Sequence, residues 1–320
     1  MKHRWHGLPL ALALCMTAVQ AAPYPDRPLR LVIPYAPGGP VDIVGRIVGL
    51  KLTESLGQQV IIDNRAGAGG NIALEIVAKA TPDGYTLLMG ANGPIAINPG
   101  LYSNMPIDTQ KDLAAISMVA SSAMILVAHP SLPAGSVKEL IALAKARPGN
   151  INYASSGTGS TAHLSSELFK SMAGVRMVHV PYKGAGPALT DLVGGQVQTM
   201  FTGISSTLPY VKAGKLKAIA VSSEKRLPIL PDVPAVAEEL PGYEVVTWYG
   251  VFAPAGASAA VIDRLQRALA QVFATPDAQN RLAALGADAH TNTPRQFALA
   301  IGKERAKWAR IIRESGAKVD

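Results

Sequence analysis

Serines, glycines and a histidine crowd one short stretch of this chain, Ser155-Ser156-Gly157-Thr158-Gly159-Ser160 followed by His163. Hydroxyls beside an imidazole are ingredients of nucleophilic catalysis, and a glycine-rich turn is equally an ingredient of an anion cradle. A serine hydrolase needs its nucleophile on a sharp elbow, and no Gly-x-Ser-x-Gly occurs. No acidic residue is placed by the sequence to orient His163, so an esterase built on Ser156 or Ser160 is the lesser reading. Gly157 to Ala162 also fits a dinucleotide fingerprint. The acidic residue expected about 20 positions on is missing, because 176–183 reads Arg-Met-Val-His-Val-Pro-Tyr-Lys. His129, His163, His179 and His290 show no paired metal-ligand spacing, so neither a zinc site nor any other cofactor is expected. What remains is a set of hydrogen-bond donors without a reactive group.

The same shape recurs along the chain. An apolar run Leu29–Tyr35 feeds Ala36-Pro37-Gly38-Gly39-Pro40 and a helix-like pattern from Val41. Asn152–Ala154 feeds the Ser155–Ser160 turn and a helix-like pattern from Thr161. Tyr182-Lys183-Gly184-Ala185-Gly186 follows a third run ending at Val180. A strand entering a glycine-rich turn at a helix start presents unpaired backbone N–H groups, and the helix dipole favours negative charge there. Gly38 and Gly39 permit close backbone approach, and Asn92, after the run Tyr85–Met89, both donates and accepts. Asp42 would repel an anion and is read as an internal cap. Several such cradles point to two lobes gripping a small anion between them.

The elements that must position these turns alternate. Strands are expected at Leu29–Ile33, Val60–Ile62, Tyr85–Met89, Ile116–Val119, Met124–Ala128, Asn152–Ala154, Met177–Val180, Val197–Phe201, Lys217–Val221 and Val246–Ala253. Between them, Ile43, Val44, Ile47, Val48, Leu52 and Leu56 form one stripe at helical spacing. Ser136 with Glu139, and Thr293-Pro294-Arg295-Gln296, read as capping boxes. The second opens a helix that carries Phe297, Ile301, Trp308, Ile311 and Ile312 on one side, as core residues. The stretch 222–243, with Pro228, Pro231, Pro234 and Pro241, reads as a long crossing between lobes. Alternation of this kind means an α/β fold with helices on both faces of mostly parallel sheets, ligands lying outside the carboxyl ends of the strands.

Lys2 and Arg4, an apolar run Leu8–Val19 and the small-residue site Val19-Gln20-Ala21 read as a secretory signal peptide cut after Ala21. Cys15 raises a lipoprotein alternative, which Leu14 before it disfavours. Loss of residues 1–21 removes the single cysteine and lowers the formal charge from +8 to +6. A disulfide framework is thereby excluded, and the dispersed basic residues argue against nucleic acid as a partner. A mild positive field still favours encounter with an anionic small molecule.

The chain closely resembles the tripartite tricarboxylate transporter substrate-binding (Bug-type) family. The markers are Tyr35-Ala36-Pro37-Gly38-Gly39, Asn64-Arg65-Ala66-Gly67-Ala68-Gly69-Gly70-Asn71, Ala80–Leu87, Ser155–Ser160, Val180-Pro181-Tyr182-Lys183-Gly184 and Trp248-Tyr249-Gly250 with Ala253-Pro254-Ala255-Gly256, in this order. The resemblance implies a two-lobed periplasmic-binding-protein (flytrap) fold without enzymatic activity, closing on a small carboxylate. Lobe 1 would comprise 22–121 and the return segment 241–320, and lobe 2 would comprise 122–240. The turns 35–39 and 155–160 would hold the carboxylate from opposite lobes. With the donors read above, the candidate ligand-binding set is Tyr35, Ala36, Pro37, Gly38, Gly39, Asn92, Ser156, Gly157, Thr158, Gly159, Ser160, His163, Tyr182 and Thr202. Family members commonly carry aspartate where this chain has Thr202, which implies that an amino-acid ligand gives way to a dicarboxylate or a hydroxy or aromatic carboxylate. The implied setting is a periplasmic monomer serving inner-membrane transporter subunits, or alternatively a membrane sensor.

Overall fold

The computed structural model describes residues 24–317 and 319, so the expected leader and Cys15 lie outside the described residues. The strands are β1 (Leu29–Ile33), β2 (Val60–Asn64), β3 (Thr86–Ala91), β4 (Leu113–Ala128), β5 (Asn152–Ser155), β6 (Val178–Pro181), β7 (Thr199–Gly203), β8 (Lys217–Val221), β9 (Val246–Pro254) and β10 (Asp288–Ala289). The helices are α1 (Pro40–Leu56), α2 (Asn71–Ala78), α3 (Asn98–Leu101), α4 (Val137–Ala146), α5 (Thr161–Ala173), α6 (Ala185–Val193), α7 (Ile204–Lys212), α8 (Ala259–Phe273), α9 (Pro276–Ala283) and α10 (Pro294–Ser315).

Strands hydrogen-bond in the order β2-β1-β3-β9-β4-β7-β5-β6, with β8 and β10 also paired to β4. Parallel pairing holds within β1, β2 and β3 and within β5, β6 and β7, where a helix or helical turn makes each crossover. The long strands β4 and β9 add antiparallel pairings, so both groups of strands are mixed. Two separate strands were expected where β4 runs unbroken for 16 residues. Ser121 and Ser122 look like a break in sequence, yet they pair with Trp248 and Thr247 of β9. The Ser122 hydroxyl is absorbed by the carbonyls of Ala123 and Gly286. Up to Ala123, β4 pairs with β9; from Met124 it pairs with β7.

Helices cover both faces of the strands. On one side of β1 and β3, Val44, Val48 and Leu52 of α1 pack with Leu265 and Leu269 of α8 over Leu31, Ile33 and Met89. On the other, Leu74 and Val77 of α2 join Phe297 and Trp308 of α10 over Val32, Leu88 and Phe252. Leu189 and Leu192 of α6 and Leu208 of α7 pack on Ile125, Val127 and Met200. Thr293 and Gln296 form the expected reciprocal box at the head of α10. Ser136 caps α4, but the Glu139 carboxylate reaches the Gly135 N–H at 2.6 Å, one residue further back than a capping box requires. The 222–243 stretch joins β8 to β9 and is pinned by Val221 N–H to Pro234 O, 2.8 Å, and Val245 N–H to Ser222 O, 2.9 Å.

Two polar side chains fix the elements around the cleft. Asn92, fully buried at the end of β3, donates to Glu304 Oε2 at 2.8 Å and Val246 O at 3.4 Å. Its oxygen accepts from Trp248 N–H at 2.7 Å and Thr247 Oγ1 at 3.1 Å, and Trp308 Nε1 donates to the same glutamate at 3.0 Å. One amide thus joins β3, β9 and α10. Asp42, on the first turn of α1, accepts from Gly38 N–H, Arg46 Nε and Asn64 Nδ2. Burial raises its pKa, but the bonds from Arg46, Gly38 and Asn64 outweigh that and hold it below the ordinary value.

Asn92→Ala leaves buried partners unsatisfied and is expected to cost about 2–4 kcal/mol, read as a lowered urea midpoint. A lowered folded-state pKa means that Asp42 stabilises above the unfolded value, and that this contribution is lost as pH falls through the folded one. Asp42→Asn is therefore expected to lower the thermal midpoint at pH 7. Its deficit against the parent chain closes on acidification below about pH 4.

Candidate functional site

The first cradle leads from β1 into α1. Gly38 adopts φ +84°, and its N–H is spent on Asp42 Oδ2 at 3.0 Å. Gly39 is the N-cap of α1 with no side-chain cap, and Pro40 occupies the first turn. The next N–H, on Val41, has no intrahelical partner by its position. Ala36 donates to Lys183 O at 3.1 Å, so its N–H is occupied too. The usable donors therefore sit at the helix start rather than in the turn before it.

The second cradle leads from β5 into α5. Ser160 caps that helix, its Oγ accepting the His163 N–H at 3.2 Å. Thr161 and Ala162 keep first-turn N–H groups without intrahelical partners. Behind the turn lies a stack of rings: His163 on His179 at 4.2 Å, and His179 on Tyr153 at 5.0 Å between centroids. Ser155 Oγ accepts Gly157 N–H at 3.1 Å and lies 2.6 Å from His179 Nε2. This contact ties the His179 ring to the β5 end of the turn. Burial first, then neighbouring His163 and Lys170, pushes His179 down to about 3, so it is neutral at ordinary pH. His163 Nδ1 accepts Gly159 N–H at 3.3 Å, and Nε2 lies 3.9 Å from Glu167 Oε1. Glu167, one helical turn after His163, is an acidic neighbour that the sequence reading missed. No triad results, because Ser160 Oγ serves the helix cap and the imidazole faces Gly159 and Glu167.

The two helix starts face one cavity. Tyr35, Gly39, Pro40 and Val41 line it from the first cradle. Ser156, Ser160, Thr161, Ala162, Ala185, Thr202 and Gly203 line it from the second side. Ala91, Met124, Thr247 and Tyr249 complete the wall, and no charged side chain is among the lining residues. Thr202 is 1% exposed, and its Oγ1 has no hydrogen-bond partner among the described residues. Burial pushes the Tyr35 and Tyr249 hydroxyls well above their ordinary pKa, so both remain neutral donors.

Of the expected contacts, Tyr35, Gly39, Ser156, Ser160 and Thr202 line this cavity. Ala36, Pro37 and Gly38 lie against residues 183–186 instead. Gly157, Thr158 and Gly159 pack on Gly69, Asn98 and Tyr102, with Tyr102 Oη donating to Thr158 O at 3.1 Å. His163 stands behind the turn. Tyr182 turns away, its hydroxyl donating to Asp191 Oδ2 at 2.7 Å. Asn92 is not among the lining residues, and both polar atoms of its side chain bond to framework partners. Val41, Thr161 and Ala162 were missed, although the helix starts visible in the sequence marked their amides. Met124, Thr247 and Tyr249 were missed because only strand pairing brings them here.

A family model, TctC, the tripartite tricarboxylate transporter family receptor, matches residues 44–317. The chain is 38% identical over 315 residues to Protein BugT of Bordetella pertussis, covering 98% of this chain and 97% of that protein. It is similar to R. palustris Rpa4515, solved with adipate, at 36% identity and TM-score 0.90, covering 92% of this chain and 100% of that one. It is also similar to MatC (Rpa3494) from Rhodopseudomonas palustris, solved with bound malate, at 33% identity and TM-score 0.86, covering 90% and 100%. It is similar as well to the periplasmic binding protein BugD, at 34% identity and TM-score 0.89, covering 92% of this chain and 99% of that one. The chain belongs to the tripartite tricarboxylate transporter family receptors, a family of periplasmic solute-binding proteins.

Proposed function

We propose that this protein captures a small carboxylate between two lobes and delivers it to inner-membrane transporter subunits. The observation that carries the reading is the convergence of the α1 and α5 N-termini on a cavity with no charged side chain. Dehydrating a carboxylate is costly, and without a cation the cost is met by several N–H and hydroxyl donors. Val41, Thr161 and Ala162 supply amides, Ser156 and Thr161 supply hydroxyls, and two helix dipoles add favourable potential.

The lobes in this reading are 22–121 with 241–320, and 122–240. The switch of β4 from β9 to β7 between Ala123 and Met124 supports that division. A ligand that contacts both lobes only when they are closed shifts the equilibrium towards closure by its differential affinity. The adipate and malate bound to relatives fit the carboxylate class. The ligand is a dicarboxylate or a hydroxy or aromatic carboxylate rather than an amino acid, because Thr202 brings a neutral hydroxyl and no negative charge to hold an ammonium.

Calorimetric titration with malate, adipate, benzoate, aspartate and glutamate tests the class. Binding of at least one of the first three, and weaker binding of both amino acids, is expected; equal affinity for the two groups contradicts the reading. Ser156→Ala with Thr161→Val is expected to weaken binding about 10- to 100-fold while leaving the unfolding midpoint within a degree or so of the parent. Thr202→Asp is expected to lower affinity for the second carboxylate of a dicarboxylate about tenfold or more and to improve affinity for aspartate or glutamate. An unchanged ligand order in that variant removes Thr202 from the specificity argument.

A further inference from the structure

We infer that the head of α6 is a closing latch, with Gly184 and Gly186 as positioning residues that set ligand capture without touching the ligand. The inference rests on the two-lobe reading above. Its basis is a seam in which the backbone of Ala36–Gly39 lies directly on that of Lys183–Gly186. Ala36 N–H donates to Lys183 O at 3.1 Å. A Cβ built on Gly186 would sit 2.2 Å from Pro37 O, and one on Gly184 would sit 2.8 Å from Ala36 N. One on Gly39 would lie 3.2 Å from the Ala185 Cβ. Contacts below 3.0 Å are not tolerated by a real methyl, so this seam exists only because side chains are missing from it.

A second seam repeats the arrangement. Cβ atoms on Gly69 and Gly159 would lie 2.4 Å from Thr158 O and 2.1 Å from Asn98 Oδ1. Those two glycines have positive φ, +61° and +82°, so substituting them would disturb their own turns. Gly186 is different. It lies in the first turn of α6 without a positive φ, where alanine is the better helix former. A methyl there leaves its own helix sound and obstructs only the approach of Pro37.

The function of the seam follows from distance. Both cradles must come within hydrogen-bond reach of one anion, and that reach fails within a few tenths of an ångström. Peptide-on-peptide contact sets the smallest separation that two lobes can reach. Small residues at Ala36–Gly39 and Gly184–Gly186 therefore decide whether the N–H groups of α1 and α5 act on the same carboxylate.

The test is a cross-link. In a full-length chain carrying Cys15→Ser, Gly39→Cys and Ala185→Cys, mild oxidation joins the new thiols only when the seam forms, since their Cβ positions then lie near disulfide range. Adding Gly186→Ala is expected to slow cross-linking about tenfold or more. Adding Gly302→Ala, where a Cβ meets nothing within 4 Å, is expected to leave the rate unchanged. With Gly186→Ala alone, adipate or malate binding is expected to weaken about tenfold, with an unfolding midpoint equal to or above the parent. Cross-linking at the parental rate overturns the latch, and so does a lowered unfolding midpoint, which would make Gly186 a folding residue. If Gly186→Ala suppresses cross-linking while the parent chain binds no carboxylate, the latch stands and the carboxylate reading fails.

Discussion

An anion held with no cationic side chain beside it must be met by hydrogen-bond donors that have already lost their water. In the proposed reading, the cavity of this protein would meet that requirement with backbone amides at two helix starts and with hydroxyls of Ser156, Thr161 and Thr202. Each donor set alone would be an ordinary helix N-terminus. Both line one cavity, which is why we propose it as the site, and the strand order brings the two into opposition. The parallel strands β1 and β5 deliver both turns to carboxyl ends, and β4 carries the chain from one group of strands to the other. Donors that the framework needs are consumed internally: Gly38 N–H by Asp42, Ala36 N–H by Lys183 O and Gly159 N–H by His163.

Neutrality has a second consequence. Asp42 stands in the first turn of α1, and its three hydrogen bonds from Gly38, Arg46 and Asn64 keep its charge engaged locally. In the other cradle, His163 and His179 lie stacked behind the turn, where burial keeps His179 neutral. In the proposed reading, full charges are thus held back from the ligand, and selectivity would fall to shape and to uncharged hydroxyls. Thr202, buried and with no hydrogen-bond partner for its Oγ1 among the described residues, is the clearest of these.

The alternating pattern of strands and helices was legible because it depends on short-range periodicity. β1 and β8 lie where their apolar runs place them, and the Thr293–Gln296 box opens α10 as its spacing requires. What failed was information that strand pairing supplies. Ser121 and Ser122 read as a gap, but β9 pairs across them and the strand continues. Asn92 has the chemistry of a ligand contact, yet Trp248 and Glu304, far along the chain, occupy it. The Tyr182–Gly186 turn resembles a third cradle and instead supplies the surface on which the first one rests. Glu167 lies four residues after His163, a helical spacing that was available but unused. Glycine-rich motifs mark where backbones approach, and sequence alone does not say whether a ligand or another backbone makes the approach.

Amide NMR during titration with malate and adipate examines the central claim at the atoms concerned. Two-helix capture predicts that the N–H signals of Val41, Thr161 and Ala162 shift together and saturate at one ligand concentration, downfield as charge-assisted hydrogen bonds form. Shifts confined to one helix start, or an absence of shifts at both while the ligand binds elsewhere, would contradict it.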